Sequence, residues 1–253
     1  MTVLQTIVVA FGMFSALPMP MIQWNEKNMR YAMCAFPLVG VMIGAVCWGW
    51  HWLCGFLAFP SLLHAAGLCL IPVLLTGGIH LDGFADTSDA LASHGDPEKK
   101  QQILKDPHLG AFAAIRLCCY FIAGFALWSA LLQYNGAAVL LGFCLSRTLS
   151  GLAVASFPLA KNTGLAYTFA SSADKETVRA ALIVLAVLLC AALCFVHGSA
   201  MAAATFLIFL YYKRMARVQF GGLSGDLAGW FVQTAELWML AALCFTQYLE
   251  ALL

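Results

Sequence analysis

Three aspartates stand at the end of an apolar run in "GGIHLDGFADTSDAL", residues 77–91. Asp82, Asp86 and Asp89 are spaced i, i+4 and i+7, which on a helix puts their carboxylates on one stripe. Like charges at that spacing repel one another and destabilise a bare helix, so the stripe calls for a cation. Hard oxygen donors select Mg²⁺, which commonly joins one or two carboxylates to substrate phosphates. The glycine pair Gly77–Gly78 and His80 lie beside the stripe and read as its neighbours, because adjacent glycines permit close backbone approach. A second "Gly-Gly-x-x-x-Asp" occurs as "GGLSGD", residues 221–226, and makes Gly221, Gly222 and Asp226 further candidates. Asp106 in "KDPHLGAF" fits both an added ligand and a helix N-cap followed by Pro107.

Two charges lie deep in apolar sequence. Arg147 is in "LLGFCLSRTLSGLAVA" and Glu236 in "GWFVQTAELWMLAAL". A charge at bilayer depth costs about 2.5–3.5 kcal/mol on insertion scales and faces a bundle interior or wet cavity. The two either pair with each other, or Arg147 holds an anionic group. Lys213, Arg214 and Arg217 read as topology and headgroup contacts, or as phosphate ligands beside the metal.

The elements that must position these residues are helices in lipid. Of 253 residues 62% are hydrophobic and 10% charged, against about 25% charged in a soluble domain. Mean hydropathy is +0.86. Such a chain cannot cover a surface facing water. The expected fold is all-α, a polytopic helical bundle forming a single transmembrane catalytic domain over 1–253. Eight apolar segments can be drawn, at about 2–22, 31–57, 61–80, 111–134, 136–157, 179–196, 199–215 and 227–250. The first, ending in "LPMP", is the weakest and leaves seven if it only lies on the membrane. "FPLVG" leaves room for a kink near Pro37 and Gly40. The ten cysteines read as reduced hydrophobes, and no cleavable leader is evident.

The connections alternate. "AFPS", "YNG" and "VHGS" carry no charge, whereas nearly every Lys and Arg lies in or beside "NEKNMR", residues 82–106, "KNTGLAYTFASSADKE" and "KRMARVQFGGLSGD". These four then share one membrane face, which the retention of basic residues makes cytoplasmic. The residues alone thus predict a membrane protein with a Mg²⁺-phosphate site on its cytoplasmic face, suited to phosphoryl or nucleotidyl-type transfer.

"TGGIHLDGFADTSDAL" resembles the signature of the cobalamin synthase family, the adenosylcobinamide-GDP ribazoletransferases. "FPLVG", Asp106 with Gly110, Ser146–Arg147 and "GGLSGD" followed by Glu236 occur in that family's order. The resemblance implies a Mg²⁺-dependent enzyme of the bacterial cytoplasmic (inner) membrane. It would join adenosylcobinamide-GDP to α-ribazole or its 5′-phosphate, releasing GMP. Its partners would be these small molecules and lipid, without nucleic acid, and homo-oligomerisation is left open. It carries Asp82, Asp86 and Asp89 over as the metal and phosphate centre, Asp106 and Asp226 as added ligands, and His80 as a site neighbour. Asp89 and Asp106 become the candidate bases for the attacking hydroxyl, and Arg147 a phosphate holder. Two positions depart from the family pattern: Pro107–His108, where a small polar residue and an arginine are usual, and Leu91, near which glycine is common. A CDP-alcohol phosphotransferase is disfavoured because "DGFADTSD" lacks an Ala-Arg pair after its first Asp-Gly. A cation-coupled transporter would make use of Arg147 and Glu236 within the bilayer.

Overall fold

The computed structural model describes residues 2–253 and is all helical. Its elements are α1 (Thr2–Phe14), α2 (Glu26–Met29), α3 (Ala32–Phe56), α4 (Ser61–Thr76), α5 (Ile79–Ala92), α6 (Pro97–Ile103), α7 (Ala111–Ala130), α8 (Gly136–Ser156), α9 (Leu165–Ser172), α10 (Lys175–Phe195), α11 (Ser199–Phe220) and α12 (Gly225–Leu252). Five helices, α3, α7, α8, α10 and α12, are long and apolar enough to cross a membrane; α4 and α5 together make a sixth if counted as one broken span. The protein is therefore a polytopic helical membrane protein. α8 and α12 lie at the centre, while α7 and α10 are peripheral. Ile183, Val184, Val187 and Leu188 on α10 stay exposed, as side chains dissolved in lipid should.

Two expected segments differ in detail. α1 has 13 residues, a rise of about 20 Å against a hydrocarbon core of about 30 Å, and the chain beyond Phe14 through "LPMP" is not helical. α11 has 22 residues but is less apolar than those five; Lys213, Arg214 and Arg217 lower its hydropathy. α3 runs as one helix with Pro37 inside it. Gly40 and Gly44 bring α3 onto α8, since a Cβ on either would meet the backbone of Phe143 or Leu140 within 2.3 and 2.5 Å. This is the small-residue seam by which membrane helices approach closely. All ten cysteines are unpaired.

The four charged connections meet at one end of the bundle. Arg30 pairs with Asp174 at 2.7 Å, tying the first to the third. Gln101 Nε2 donates to the carbonyl of Phe220 at 2.7 Å and Lys100 Nζ to Gln219, tying the second to the fourth. The amide of Ala160 donates to the carbonyl of Leu223 at 2.9 Å, tying the third to the fourth. The uncharged connections gather elsewhere: His51 and His64 approach to 3.2 Å, and Asn135 Nδ2 donates to the carbonyl of Val196.

Candidate functional site

The aspartate stripe forms as a helix, but that helix does not continue the span before it. α5 leaves α4 at 96°. Gly77 (φ +63°) and Gly78 (φ +80°) make the break in left-handed conformations that a side chain would strain. α5 therefore departs from the direction of α4 and lies against the start of α12. The task of this glycine pair in the fold is to turn the chain. Gly221 (φ +71°) likewise ends α11. At Gly222 a Cβ would stand 2.5 Å from the amide nitrogen of Ala160, so the close approach there is made by the protein's own backbone.

α5 is pressed onto the start of α12. A Cβ on Gly83 would lie 2.6 Å from the carbonyl oxygen of Asp226, and one on Gly229 2.9 Å from that of His80. The helices cross with no side chain between them at these points, which sets the carboxylates of one helix beside those of the other. Burial first, then repulsion from Asp82, Asp226 and Asp89, pushes the Asp86 carboxyl up to about 6. Burial is the larger cause, and the three like charges that add to it mark a concentration of carboxylates at this place. Ser224 caps α12, its Oγ accepting from the amide of Leu227 at 3.3 Å, so Asp226 falls in the first turn.

Asp89 sits at the edge of this group. Its Oδ1 accepts from the amide of Ala113 at 3.3 Å, and a Cβ on Gly110 would collide with the carboxylate at 2.1 Å. The bare backbone of Gly110 thus lets Asp89 seat on the start of α7, a favourable place for an anion. Asp106 is elsewhere in its chemistry: its carboxylate is exposed and bonded to the amide and ring of His108, at 3.0 and 2.7 Å. Those contacts hold it below the usual carboxylate range. It has no part in the repulsion felt by Asp86.

Lys161 lies within the field of Asp226 and of Lys105. Burial and the neighbouring Lys105 lower the Lys161 ammonium, while Asp226 works the other way. Two lysines and a partly buried acidic group therefore share one field. Beside the acids opens a cavity of about 180 Å³ whose wall includes His80, Asp82, Ser150 and Asp226. Among the described residues no three His, Cys, Asp or Glu side chains converge closely enough to hold a metal by themselves. The donor chemistry still suits Mg²⁺ held by one or two carboxylates with the remaining positions left to phosphate oxygens and water.

Arg147 lies outside this cavity's wall. Its side chain is 0% exposed and paired with Glu236 across the α8–α12 contact. Ser146 Oγ donates to Glu236 at 2.9 Å and accepts from Arg147 at 2.9 Å. Of the two sequence readings, the mutual pair is the one found; full burial also rules out a side chain reaching for the interface. Sequence reasoning passed over Gly83 and Gly229, whose signal is only the absence of a side chain. It also passed over Phe14, Phe36 and Phe169, far apart in the chain but lining one cavity.

A family model described as cobalamin-5-phosphate synthase matches residues 6–244. An adenosylcobinamide-GDP ribazoletransferase from Lachnoclostridium phytofermentans is 41% identical over 240 residues, covering 92% of this chain and 91% of that protein. Proteins of the same name from Geobacillus kaustophilus and Clostridium botulinum (strain Alaska E43) are 33% and 29% identical, over 91% and 94% of this chain and 92% and 96% of theirs. No solved structure matches. The aspartate helix, the glycine seam and the whole-length similarity lead to one assignment: the chain belongs to the cobalamin-5-phosphate synthase family.

Proposed function

We propose that the protein is an adenosylcobinamide-GDP ribazoletransferase of late cobalamin synthesis, transferring the adenosylcobinamide phosphate group to α-ribazole or its 5′-phosphate and releasing GMP. The observation that carries this reading beyond the family match is the crossing of α5 on α12, which sets Asp82, Asp86 and Asp226 in one field. That negative charge is what a Mg²⁺–diphosphate needs on its metal side, and Lys161, with Lys105 near it, supplies countercharge close by. One or two of Asp82, Asp86 and Asp226 would hold the ion together with phosphate oxygens and water, and when bound it would neutralise phosphate charge and stabilise the departing nucleotide.

The chain's own groups then have distinct tasks. The lysines orient the diphosphate by charge. Asp82 and Asp226 border the cavity, so whichever of the two does not hold the ion is the carboxylate placed to accept the proton of a hydroxyl there. Asp89 fixes α7 against α5 through Ala113. The charged end of the bundle, where the site opens, faces the cytoplasm by its content of Lys and Arg, and the membrane is the bacterial cytoplasmic membrane.

The test is direct. Purified protein in nanodiscs receives adenosylcobinamide-GDP and α-ribazole, with and without Mg²⁺, and GMP is measured. Mg²⁺-dependent, α-ribazole-dependent GMP release is expected. Absence of GMP from protein that retains its thermal transition would overturn the reading.

A further inference from the structure

We propose that the groove between α7 and α11 is the seat of an anionic phospholipid, with its phosphate on Lys100 and Arg116 and an acyl chain along the rings beyond them. α7 and α11 both pack on α12, and between them opens a cavity of about 780 Å³. α12 lends it Trp230, Leu237 and Trp238, α7 lends Phe112, and α11 lends Tyr211. Phe112, Tyr211 and Trp238 are exposed, and exposed rings on the helices of a polytopic bundle meet lipid. The groove is therefore entered sideways, from the bilayer.

It is separate from the acidic group. Its lining from α5 includes Phe84, Ser88 and Leu91, each two positions after one of Asp82, Asp86 and Asp89. Two positions are about 200° round a helix, so the groove and the carboxylate stripe take opposite faces of α5. No Asp or Glu lines the groove. Its charge is positive instead. Lys100 is 5% exposed, and its hydrogen-bond partner is the neutral side-chain oxygen of Gln219. Among the described residues the ion pairs are Arg30–Asp174, His108–Asp106 and Arg147–Glu236, so neither Lys100 nor Arg116 has a carboxylate. A cation buried without countercharge is costly, and this one calls for an anion from outside the chain.

The lining is also ordered by polarity. Lys100 on α6 is bonded to the last turn of α11, at the charged end of the bundle, and Arg116 is in the second turn of α7. Tyr211 stands about 12 Å further along α11 than Gln219, and Trp238 as far beyond Trp230 on α12. Cations at one end and rings toward the other match a phosphate followed by a hydrocarbon tail. Basic pockets between membrane helices on the side rich in Lys and Arg hold anionic headgroups. A zwitterionic headgroup brings its own cation to Lys100 and Arg116, so the site discriminates by headgroup charge.

The test compares wild type, Lys100→Gln, Arg116→Gln, the double variant and Lys99→Gln. Lys99 is an exposed neighbour outside the groove. Each protein is released from nanodiscs of phosphatidylcholine and phosphatidylglycerol in equal parts, and native mass spectrometry reads the lipid that stays bound. Titration of delipidated protein with phosphatidylglycerol, followed by the thermal midpoint, gives the affinity. Wild type should retain phosphatidylglycerol in preference to phosphatidylcholine. Affinity should fall about fivefold in each groove variant and about twenty-five-fold in the double variant, and stay unchanged in Lys99→Gln. Equal retention of the two lipids, or an equal fall in Lys99→Gln, overturns the proposal. So does displacement of the lipid by adenosylcobinamide-GDP, which would give the groove to the substrate, or by glycerol 3-phosphate, which would make it a site for phosphate alone. Arg116 is exposed, so Arg116→Gln decides the matter if Lys100→Gln does not fold. None of these readouts uses GMP release, so the result stands apart from the transferase reading.

Discussion

Gly83 of α5 lies against the main chain of Asp226 of α12, so closely that a methyl group on the glycine would come within 2.6 Å of the aspartate carbonyl. This contact, repeated by Gly229 against His80, holds the two carboxylate-bearing helices at backbone distance. Neither helix can shift without opening the acidic group.

Gly83→Ala should therefore separate the helices and lower kcat by about a hundredfold, because small misplacements of reacting groups are costly. Overpacking should also destabilise the fold by about 1–3 kcal/mol. Gly49→Ala, at a glycine with open space around it, should leave GMP release unchanged. Equal activity of the two variants would remove the seam from the account of the site.

Mg²⁺ should raise the thermal midpoint of the purified protein in the absence of substrate, since a ligand that binds only the folded state stabilises it. Asp82→Asn and Asp86→Asn should each remove most of that rise and abolish turnover while the protein remains inserted. The measurement is a melting curve in detergent across a Mg²⁺ series. Persistence of the full rise in both variants would place the ion elsewhere.

Asp86 gives a pH dependence whose sign follows from its raised carboxyl. Below its ordinary value of 3.8 it is protonated in folded and unfolded chains alike, and burial of the neutral acid carries no charge penalty. Between 3.8 and about 6 the unfolded chain ionises first, so stability falls as pH rises through that window and stays low above it. Without divalent ions, wild type should lose a few degrees of melting midpoint relative to Asp86→Asn between pH 4 and 6.5. Saturating Mg²⁺ should close that gap. Parallel curves for the two proteins would contradict this concentration of carboxylates.

The Arg147–Glu236 pair is buried within the bundle, with Arg147 Nε and Nη2 unpartnered. Removing one member strands the other. Arg147→Met and Glu236→Leu should each cost about 3–5 kcal/mol, and the double variant should recover most of it. A double-mutant cycle on melting midpoints checks this; additive losses would show that the two charges are not coupled.

Much of the site's chemistry was legible because it is local. The i, i+4, i+7 spacing of Asp82, Asp86 and Asp89 needs only one helix to bring the three carboxylates to one side. The clustering of Lys and Arg in four alternate connections likewise exposed the charged end. Arg147 and Glu236 stood out by their cost in lipid, and their mutual pair was one of the two readings that cost allowed. What lay hidden depends on contacts across the chain. The close approach at Gly83 and Gly229 joins residues separated by most of the sequence, and glycine has no pattern that tells a seam from a turn. The 96° break at Gly77–Gly78 escaped notice because apolar residues lead up to it, as they would in a simple span. Asp106 looked like a ligand by proximity in sequence, but its contacts are with His108. The length of α1 was hidden by "LPMP", whose residues are apolar without being helical.

Main chain resting on main chain at the α5–α12 crossing has a consequence for how such a protein can change over generations. Spacing fixed by peptide groups does not depend on the identity of the surrounding side chains, so the greasy exterior is free to drift with the lipids it meets. Only a substitution that thickens the crossing itself, or that removes an acid beside it, alters the reaction's ruler.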